Sequence, residues 1–260
     1  MITKSLPLSE IKKKLDGITD ENNPFIKELH IDDRVGAQKL LQTWNRKKEK
    51  QHELEKMFYE MRTYEEDLWK EGYHYIGGVD EVGRGPLAGP VVASCVILSP
   101  EFYLAGLTDS KQLSKQKREE FYCNIMEEAI SVGIGIATSE EIDQINIYEA
   151  TKLAMKRAIH KLSIEPSYLL LDAMKLPIGL PQMSLIKGDT KSVSIAASSV
   201  IAKVTRDNYM EEIAQTYPEY RFQKNMGYGT KEHLHAIEQH GITKEHRRSF
   251  APVKESLSLF

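Results

Sequence analysis

The sequence predicts an α/β fold: a mixed sheet flanked by helices, with a helical extension ahead of it and a small helical part behind. Three observations predict it. From residue 75 onward, short apolar and β-branched runs alternate with stretches of helical periodicity. Two of these runs, 75–80 and 91–98, are joined by the Gly/Pro-rich turn Val82-Gly-Arg-Gly-Pro-Leu-Ala-Gly89, which suggests a hairpin. Later runs are separated by helix-length segments, and strands mixed with helices argue for a mixed sheet covered by helices.

Residues 9–15 read as a short helix, broken at Asn22-Asn-Pro24. Residues 34–69 are dense in Lys, Glu, Gln and Arg, with Leu40, Leu41, Trp44, Leu54, Met57, Phe58, Met61 and Leu68 at rough helical spacing. Residues 1–72 therefore read as a helical N-terminal extension, distinct from a domain over 73–260. Its mixed charge suits a solvated helical arm better than a nucleic-acid-binding one. Beyond the first hairpin, 114–131 reads as a helix and 132–138 as a third strand. Ser139-Glu-Glu-Ile142 is a capping-box-like start, and the helix continues over 146–162 with Leu153, Ala154, Ala158 and Leu162 on one face. Tyr168-Leu-Leu-Leu-Asp172, after Pro166, reads as a buried central strand. Ser184-Leu-Ile-Lys187 is another strand. Residues 192–215 form a long helix, small and apolar at first and charged later. The remainder reads as short helices and loops.

Composition narrows the function classes. At 260 residues the chain holds one sizeable domain and an appendage. A net charge of -3 gives no global nucleic-acid footprint, so any such site must be a local basic patch. No apolar run is long enough to span a bilayer, and Met1-Ile-Thr-Lys-Ser5 lacks the apolar core of a signal peptide. Two cysteines, Cys95 and Cys123, make neither a disulfide framework nor a CxxC pair. Cys95 lies in an apolar strand pattern and is expected in the core. A reducing, cytoplasmic setting is expected.

The chemistry is carried by acids at strand ends. Asp80 and Glu81 are adjacent carboxylates ahead of the glycine-rich turn. On their own they would be ordinary turn residues. Asp172, however, ends the 168–172 strand, and Asp189 follows the 184–187 strand ahead of the long helix. Three strand ends thus carry acids, the usual position of a site in an open α/β sheet. Such a cluster repels itself unless cations hold it, and oxygen-only ligands suit Mg²⁺ or Mn²⁺ rather than Zn²⁺. Two ions there could activate a water and stabilise a leaving oxygen at a phosphodiester. Asp189 is also expected near the positive end of the 192–215 helix. His233, His235 and His240 lack a zinc spacing.

The segment Gly78-Val-Asp-Glu-Val-Gly-Arg-Gly-Pro-Leu-Ala-Gly-Pro-Val91 closely resembles the signature of ribonuclease HII. The likeness continues through Asp109-Ser-Lys-Gln-Leu-Ser114, Leu170-Leu-Asp172, Ile186-Lys-Gly-Asp189, Ser194-Ile-Ala-Ala-Ser-Ser-Val-Ile-Ala-Lys-Val-Thr-Arg-Asp207, Gly227-Tyr-Gly-Thr-Lys-Glu-His-Leu234 and His246-Arg-Arg-Ser-Phe250. It covers residues 73 to 253, with many motifs in the family's order. One departure is Asn225-Met226, where many relatives carry His-Lys. The sister type HIII usually has lysine at the position of Arg84, so Arg84 favours type HII.

The resemblance implies a ribonuclease H-like catalytic domain over 73–260. It also implies endonucleolytic cleavage of RNA in RNA–DNA hybrids and on the 5′ side of single ribonucleotides in duplex DNA. The chain would act as a monomer. The four metal-site acids fall on Asp80, Glu81, Asp172 and Asp189, with Mg²⁺ or Mn²⁺ as cofactor. The loop that recognises the ribonucleotide's 2′-OH falls on Gly83, Arg84 and Gly85, and the tyrosine that packs on the next sugar on Tyr228. Only a 2′-OH distinguishes RNA from DNA at one nucleotide, and backbone amides of a Gly-X-Gly turn can reach it without side-chain bulk. Ser110, Lys111, Lys191, Lys203, Arg206, Lys231, His246 and Arg247 are candidates for phosphate contact, each more ordinary singly as a solvated surface group.

Two other readings compete. Gly83-Arg-Gly-Pro-Leu-Ala88 matches a dinucleotide-binding fingerprint, but that needs a helix straight after the turn, and Pro86 and Pro90 lead into a strand-like run instead. A non-catalytic nucleic-acid-binding module would not need four converging acids, which repel phosphate.

Overall fold

The apolar runs assemble into one five-stranded sheet, in the order β3-β2-β1-β4-β5. Strand β1 is Ile76–Val82, β2 Val91–Ile97, β3 Ser131–Ala137, β4 Tyr168–Asp172 and β5 Gln182–Leu185. The structure is a computed structural model that describes residues 3–257. β1 pairs antiparallel with β2 as the expected hairpin, and β2 antiparallel with β3. β1 and β4 are parallel, as are β4 and β5, so the sheet is mixed. β5 starts two residues before the expected run, because Gln182 and Met183 pair with Leu169 and Leu170.

Helices cover both faces. On one, α6 (Ser139–His160) lays Ala150, Ala154 and Ala158 over Val79, Ala93, Cys95 and Leu171. A capping box starts it, with the Thr138 hydroxyl accepting from Glu141 N and the Glu141 carboxylate accepting from Thr138 N. On the other face, α7 (Val193–Thr216) packs Ala197, Val200 and Ile201 against Val96, with Phe121 and Ile125 of α5 (Lys115–Glu128) completing the cluster. The start of α7 runs so close to β1 that a Cβ on Gly78 would overlap the Ser194 backbone. Only glycine permits that approach.

A third cluster belongs to the C-terminal helical part. There Tyr220, Phe222 of α8 (Phe222–Asn225), Ile237 of α9 (Lys231–His240) and Val253 of α10 (Ala251–Leu257) pack with Leu87 and Met210.

The N-terminal region differs from its expected outline. Three helices occupy it: α1 (Leu8–Asp16), α2 (Pro24–His30) and α3 (Val35–Met61), followed by α4 (Thr63–Lys70). The expected break at Asn22-Asn-Pro24 is a helix start. Asn23 Oδ1 accepts the Phe25 N–H at 2.9 Å, and Pro24 sits in the first turn, where its missing N–H costs nothing. Ile11, Leu15, Ile26, Leu29, Leu41 and Trp44 form a core of their own.

The chain divides into the compact units Met1–Met57 and Phe58–Phe260. The expected boundary at residue 72 thus lies inside the second unit. Phe58 and Met61 join the cluster of α5 and α7, and Leu68 packs with Ile76, Leu170 and Ile195. Among the described residues no helix is long and apolar enough to cross a membrane.

Candidate active site

β1 continues two residues past its expected end, so Asp80 and Glu81 are strand residues paired with Ser94 and Ala93 of β2. The parallel register sets Val79 opposite Leu171. Asp80 and Asp172 therefore occupy the next positions of adjacent strands, where side chains share a face. Asp80 is 6% exposed, and its Oδ1 accepts the Glu81 N–H at 2.8 Å. The Ser199 side chain of α7 faces this carboxyl and favours its charged form. Asp172 Oδ1 accepts the Gly188 N–H at 2.7 Å, which ties the β4 end to the one-turn helix Gly188–Thr190 carrying Asp189.

The four acids feel one another. Burial first, and then the Glu81 charge, push the Asp80 carboxyl well above its ordinary range. Burial also raises Glu81, against the Arg84 guanidinium, whose Nη1 lies 3.2 Å from Glu81 Oε1. Burial pushes Asp189 up to about 6, helped by the charges of Asp109 and Asp172. Glu81 Oε2 is buried without a hydrogen-bond partner.

Among the described residues no three His, Cys, Asp or Glu side chains are drawn up as a closed metal-holding group. Protein donors engage three of the acids instead: the Glu81 amide on Asp80, the Gly188 amide on Asp172 and Arg84 on Glu81. The residues nevertheless fit an oxygen-preferring divalent cation. Their donors are all carboxylate oxygens, one is a buried orphan, and the mutual repulsion is the kind a cation relieves.

The glycine-rich turn leaves β1 directly beside this cluster. Gly83 is buried, whereas Arg84 and Gly85 are exposed. Tyr228 comes from the distant turn before α9, yet a Cβ on Gly85 would stand 3.6 Å from Tyr228 Cε1. The ring is 47% exposed and faces outward beside the turn. Its backbone is fixed by Asn225 O, which accepts the Tyr228 N–H at 2.9 Å. Asn225 itself is buried, bonding Tyr220 O and the Gly227 N–H.

Ser110 is buried, and its Oγ lies 2.9 Å from Ser199 Oγ. It therefore abuts the residue that faces Asp80 rather than open solvent. Lys111 is exposed, and its charge acts on Asp189.

Several phosphate-contact candidates are corrected. Arg206 and Arg247 are each 0% exposed and His246 is 2% exposed, so none lies at a surface. His246 Nε2 lies 3.0 Å from His233 Nε2, inside the C-terminal cluster. Lys203 Nζ is paired with Asp207 at 2.6 Å. Lys191 and Lys231 remain exposed. Sequence reasoning missed Ser199 and Asp109 as partners of the acids. Asp109 carried a signal, since it opens the Asp109-Ser-Lys motif. Ser199 carried none beyond its place in a small-residue helix start. A cavity of ≈ 350 Å³ lined by Lys156, Ile159, His160, Leu162, Ile178 and Leu180 contains none of these residues.

The profile of ribonuclease HII matches residues 77–253, and that of the ribonuclease HII N-terminal domain matches residues 7–69. A ribonuclease HII of Listeria monocytogenes is 55% identical over 249 residues, covering 96% of this chain and 95% of the relative. One from a Geobacillus species is 53% identical over 252 residues, covering 97% and 91%. The crystal structure of ribonuclease H2 from Pyrococcus horikoshii superposes with a TM-score of 0.62 at 24% identity, covering 71% of this chain and 98% of that one. A Bst-RNase HIII structure in complex with Mn²⁺ gives 0.55 at 19% identity, covering 72% and 70%. These structures share the fold. With both profiles and near-complete relatives above half identity, the chain belongs to the ribonuclease HII family and is an endonuclease of the ribonuclease H type.

Proposed function

We propose that the chain, in a family that cleaves the RNA strand of RNA–DNA hybrids, also cuts on the 5′ side of single ribonucleotides embedded in duplex DNA. One observation carries this reading: the exposed Arg84–Gly85 turn, next in sequence to Asp80 and Glu81, stands against the Tyr228 ring. A duplex lying on this open surface would meet a backbone-lined turn and an aromatic face side by side. The turn's amides suit a 2′-OH. The Tyr228 ring would pack on the following sugar and disfavour a hydroxyl there.

Asp80, Glu81, Asp172 and Asp189 would hold Mg²⁺ or Mn²⁺, and two such ions supply charge that activates a water and stabilises a leaving oxygen. Ser199 and the Gly188 amide orient Asp80 and Asp172 from behind. Lys111, exposed beside Asp189, offers a phosphate contact on the substrate side. Both cysteines are free, which supports a reducing, cytoplasmic setting.

The test is to map product ends on a duplex with one ribonucleotide, with Mg²⁺ or Mn²⁺ and with EDTA. Metal-dependent cutting 5′ of the ribonucleotide, leaving 3′-hydroxyl and 5′-phosphate ends, is expected. Cutting on its 3′ side, or equal cutting of all-DNA duplex, overturns the reading.

A further inference from the structure

Arg206 and Arg247 are the largest fully buried side chains among the described residues. A guanidinium brings five N–H donors into the interior, and each needs an acceptor. Here the acceptors are backbone carbonyls of the loops around the site. Arg206 Nε donates to Pro90 O at 2.9 Å, Nη2 to Ala88 O at 3.1 Å and Nη1 to Met226 O at 3.0 Å. Arg247 Nε and Nη2 donate to Gly89 O at 3.0 and 2.8 Å, Nη1 to Arg84 O at 3.0 Å and Nη2 to Gly83 O at 2.5 Å.

The two forks therefore grip the Gly83–Gly85 turn, its return to β2 and the turn that precedes Tyr228. Main-chain bonds follow the same path. Gly227 O accepts from Leu87 N at 2.8 Å, and Leu87 O accepts from Arg247 N at 2.8 Å. Gly83, at φ +92°, leaves room for the Arg206 side chain, which a Cβ there would overlap.

A glycine-rich turn has few side chains with which to fix itself and loses much entropy when ordered. Carbonyls pinned by a planar, rigid fork are fixed in direction as well as distance, which a lysine's point charge does not achieve. Burial lowers both groups, Arg206 to about 10 and Arg247 to about 9, so both stay cationic at neutral pH. Their charge lies beneath a surface that must receive phosphate.

We propose that Arg206 and Arg247 are positioning residues: from inside the protein they lock the Gly83–Gly85 turn and the Tyr228 turn at a fixed separation, so that a ribonucleotide and the sugar after it are gripped as one unit. This rests on the junction reading of those two turns.

Amide hydrogen exchange on the unaltered full chain is the first test. Leu87, Ala88 and Gly89 should be protected as strongly as the interior of β2. Exchange at the rate of an open loop overturns the clamp, even if the variants below fail to fold. Arg206→Lys and Arg247→Lys then keep the charge and lose the fork. Each should speed exchange at those amides at least about tenfold. Each should also lower kcat on a one-ribonucleotide duplex about 10- to 100-fold, with KM and the rate on a continuous RNA–DNA hybrid changed less. Unchanged exchange, or equal losses on both substrates, assigns the arginines a merely structural role and overturns the proposal. The junction reading has its own control: Tyr228→Ala in the otherwise intact chain. If that variant cuts the one-ribonucleotide duplex at the wild-type rate, the junction reading fails, and exchange in the arginine variants still decides on the clamp.

Discussion

Glu65 Oε1 accepts the Ser194 N–H at 3.0 Å and the Ser192 and Ser194 hydroxyls at 2.5 Å each. A carboxylate from α4 thereby closes the N-terminus of α7, where it meets the positive end of the helix. Glu65 is 1% exposed, so removing it leaves the buried Ser194 N–H and at least one of the two serine hydroxyls without an acceptor. Glu65→Ala should cost about 1–3 kcal/mol of unfolding free energy. Glu65→Gln keeps one acceptor oxygen and should lose less. Urea denaturation of the three proteins compares them; equal midpoints would refute the capping role.

The same packing decides where the chain can be shortened. Phe58 is 1% exposed, and Met61 and Leu68 are 5% exposed, each within a cluster of the second unit. A chain starting at Phe58 should fold and keep its cleavage position. One starting at residue 71 loses Phe58, Met61, Glu65 and Leu68 together. Loss of a buried Phe alone typically costs about 3–5 kcal/mol, so this shorter chain should be unfolded or aggregated. Circular dichroism and thermal melts of both truncations check this, and a cooperatively folded chain from residue 71 would overturn it.

For the acids, activity and stability should move in opposite directions. Asp80→Asn and Asp172→Asn each remove a charged ligand from the proposed metal site and should lower cleavage by about 1000-fold or more. Burial and the Glu81 charge push the Asp80 carboxyl upward, so without metal its ionised form is penalised. Asp80→Asn should therefore raise metal-free stability, on the order of 1 kcal/mol, and abolish the rise in Tm that added Mg²⁺ or Mn²⁺ gives the parent. A variant that still gains Tm from metal and turns over near-normally would remove Asp80 from the site.

Most strands, the first hairpin and the acids at three strand ends could be read from sequence because their signals are local. An apolar run, a glycine-rich turn and an acid at a run's end are each visible within a few residues. β1 extends through Glu81 because Ala93 and Val92 of β2 pair with Glu81 and Val82, a non-local bond that no window reveals. Arg206 and Arg247 looked like surface cations. An isolated arginine carries no sign that distant carbonyls will surround it. Glu65 was hidden likewise: in sequence it is one more charge in a charged helix, and only the close approach at Gly78 brings the start of α7 near it.

Acid should act on the start of α6 in a traceable way. Glu141 accepts a bidentate Arg157 pair at 2.7 and 2.8 Å, together with the Thr138 N–H at 2.9 Å. The Arg157 bonds first, and the Thr138 amide after them, push its carboxyl down to about 2. A lowered acid adds stability that is fully present above its unfolded pKa of about 4.3, and this is lost as pH falls through about 2. The pair is partly exposed, so its worth is discounted to about 1 kcal/mol. Glu141→Gln should be less stable than the parent by that amount at pH 7, with the gap closing toward pH 2. A gap independent of pH would contradict the assignment.

Arg84 faces two demands. Its guanidinium reaches Glu81 Oε1 at 3.2 Å, yet it is 43% exposed and belongs to the turn that would meet substrate. If Glu81 is a metal ligand, Arg84 would be a competing countercharge while metal is absent and would be free to meet substrate once metal is bound. Arg84→Ala should therefore tighten metal binding while weakening substrate binding. An exposed pair is worth about 0–1 kcal/mol, so the metal concentration giving half the Tm rise should fall up to about fivefold. KM for a one-ribonucleotide duplex should rise and depend less steeply on salt, since one phosphate contact is lost. Arg84→Lys keeps the charge and should restore the metal response more fully than the KM. If Arg84→Ala weakens metal binding instead, Arg84 supports the acids rather than competing for them, and the two-state role proposed for its side chain is wrong.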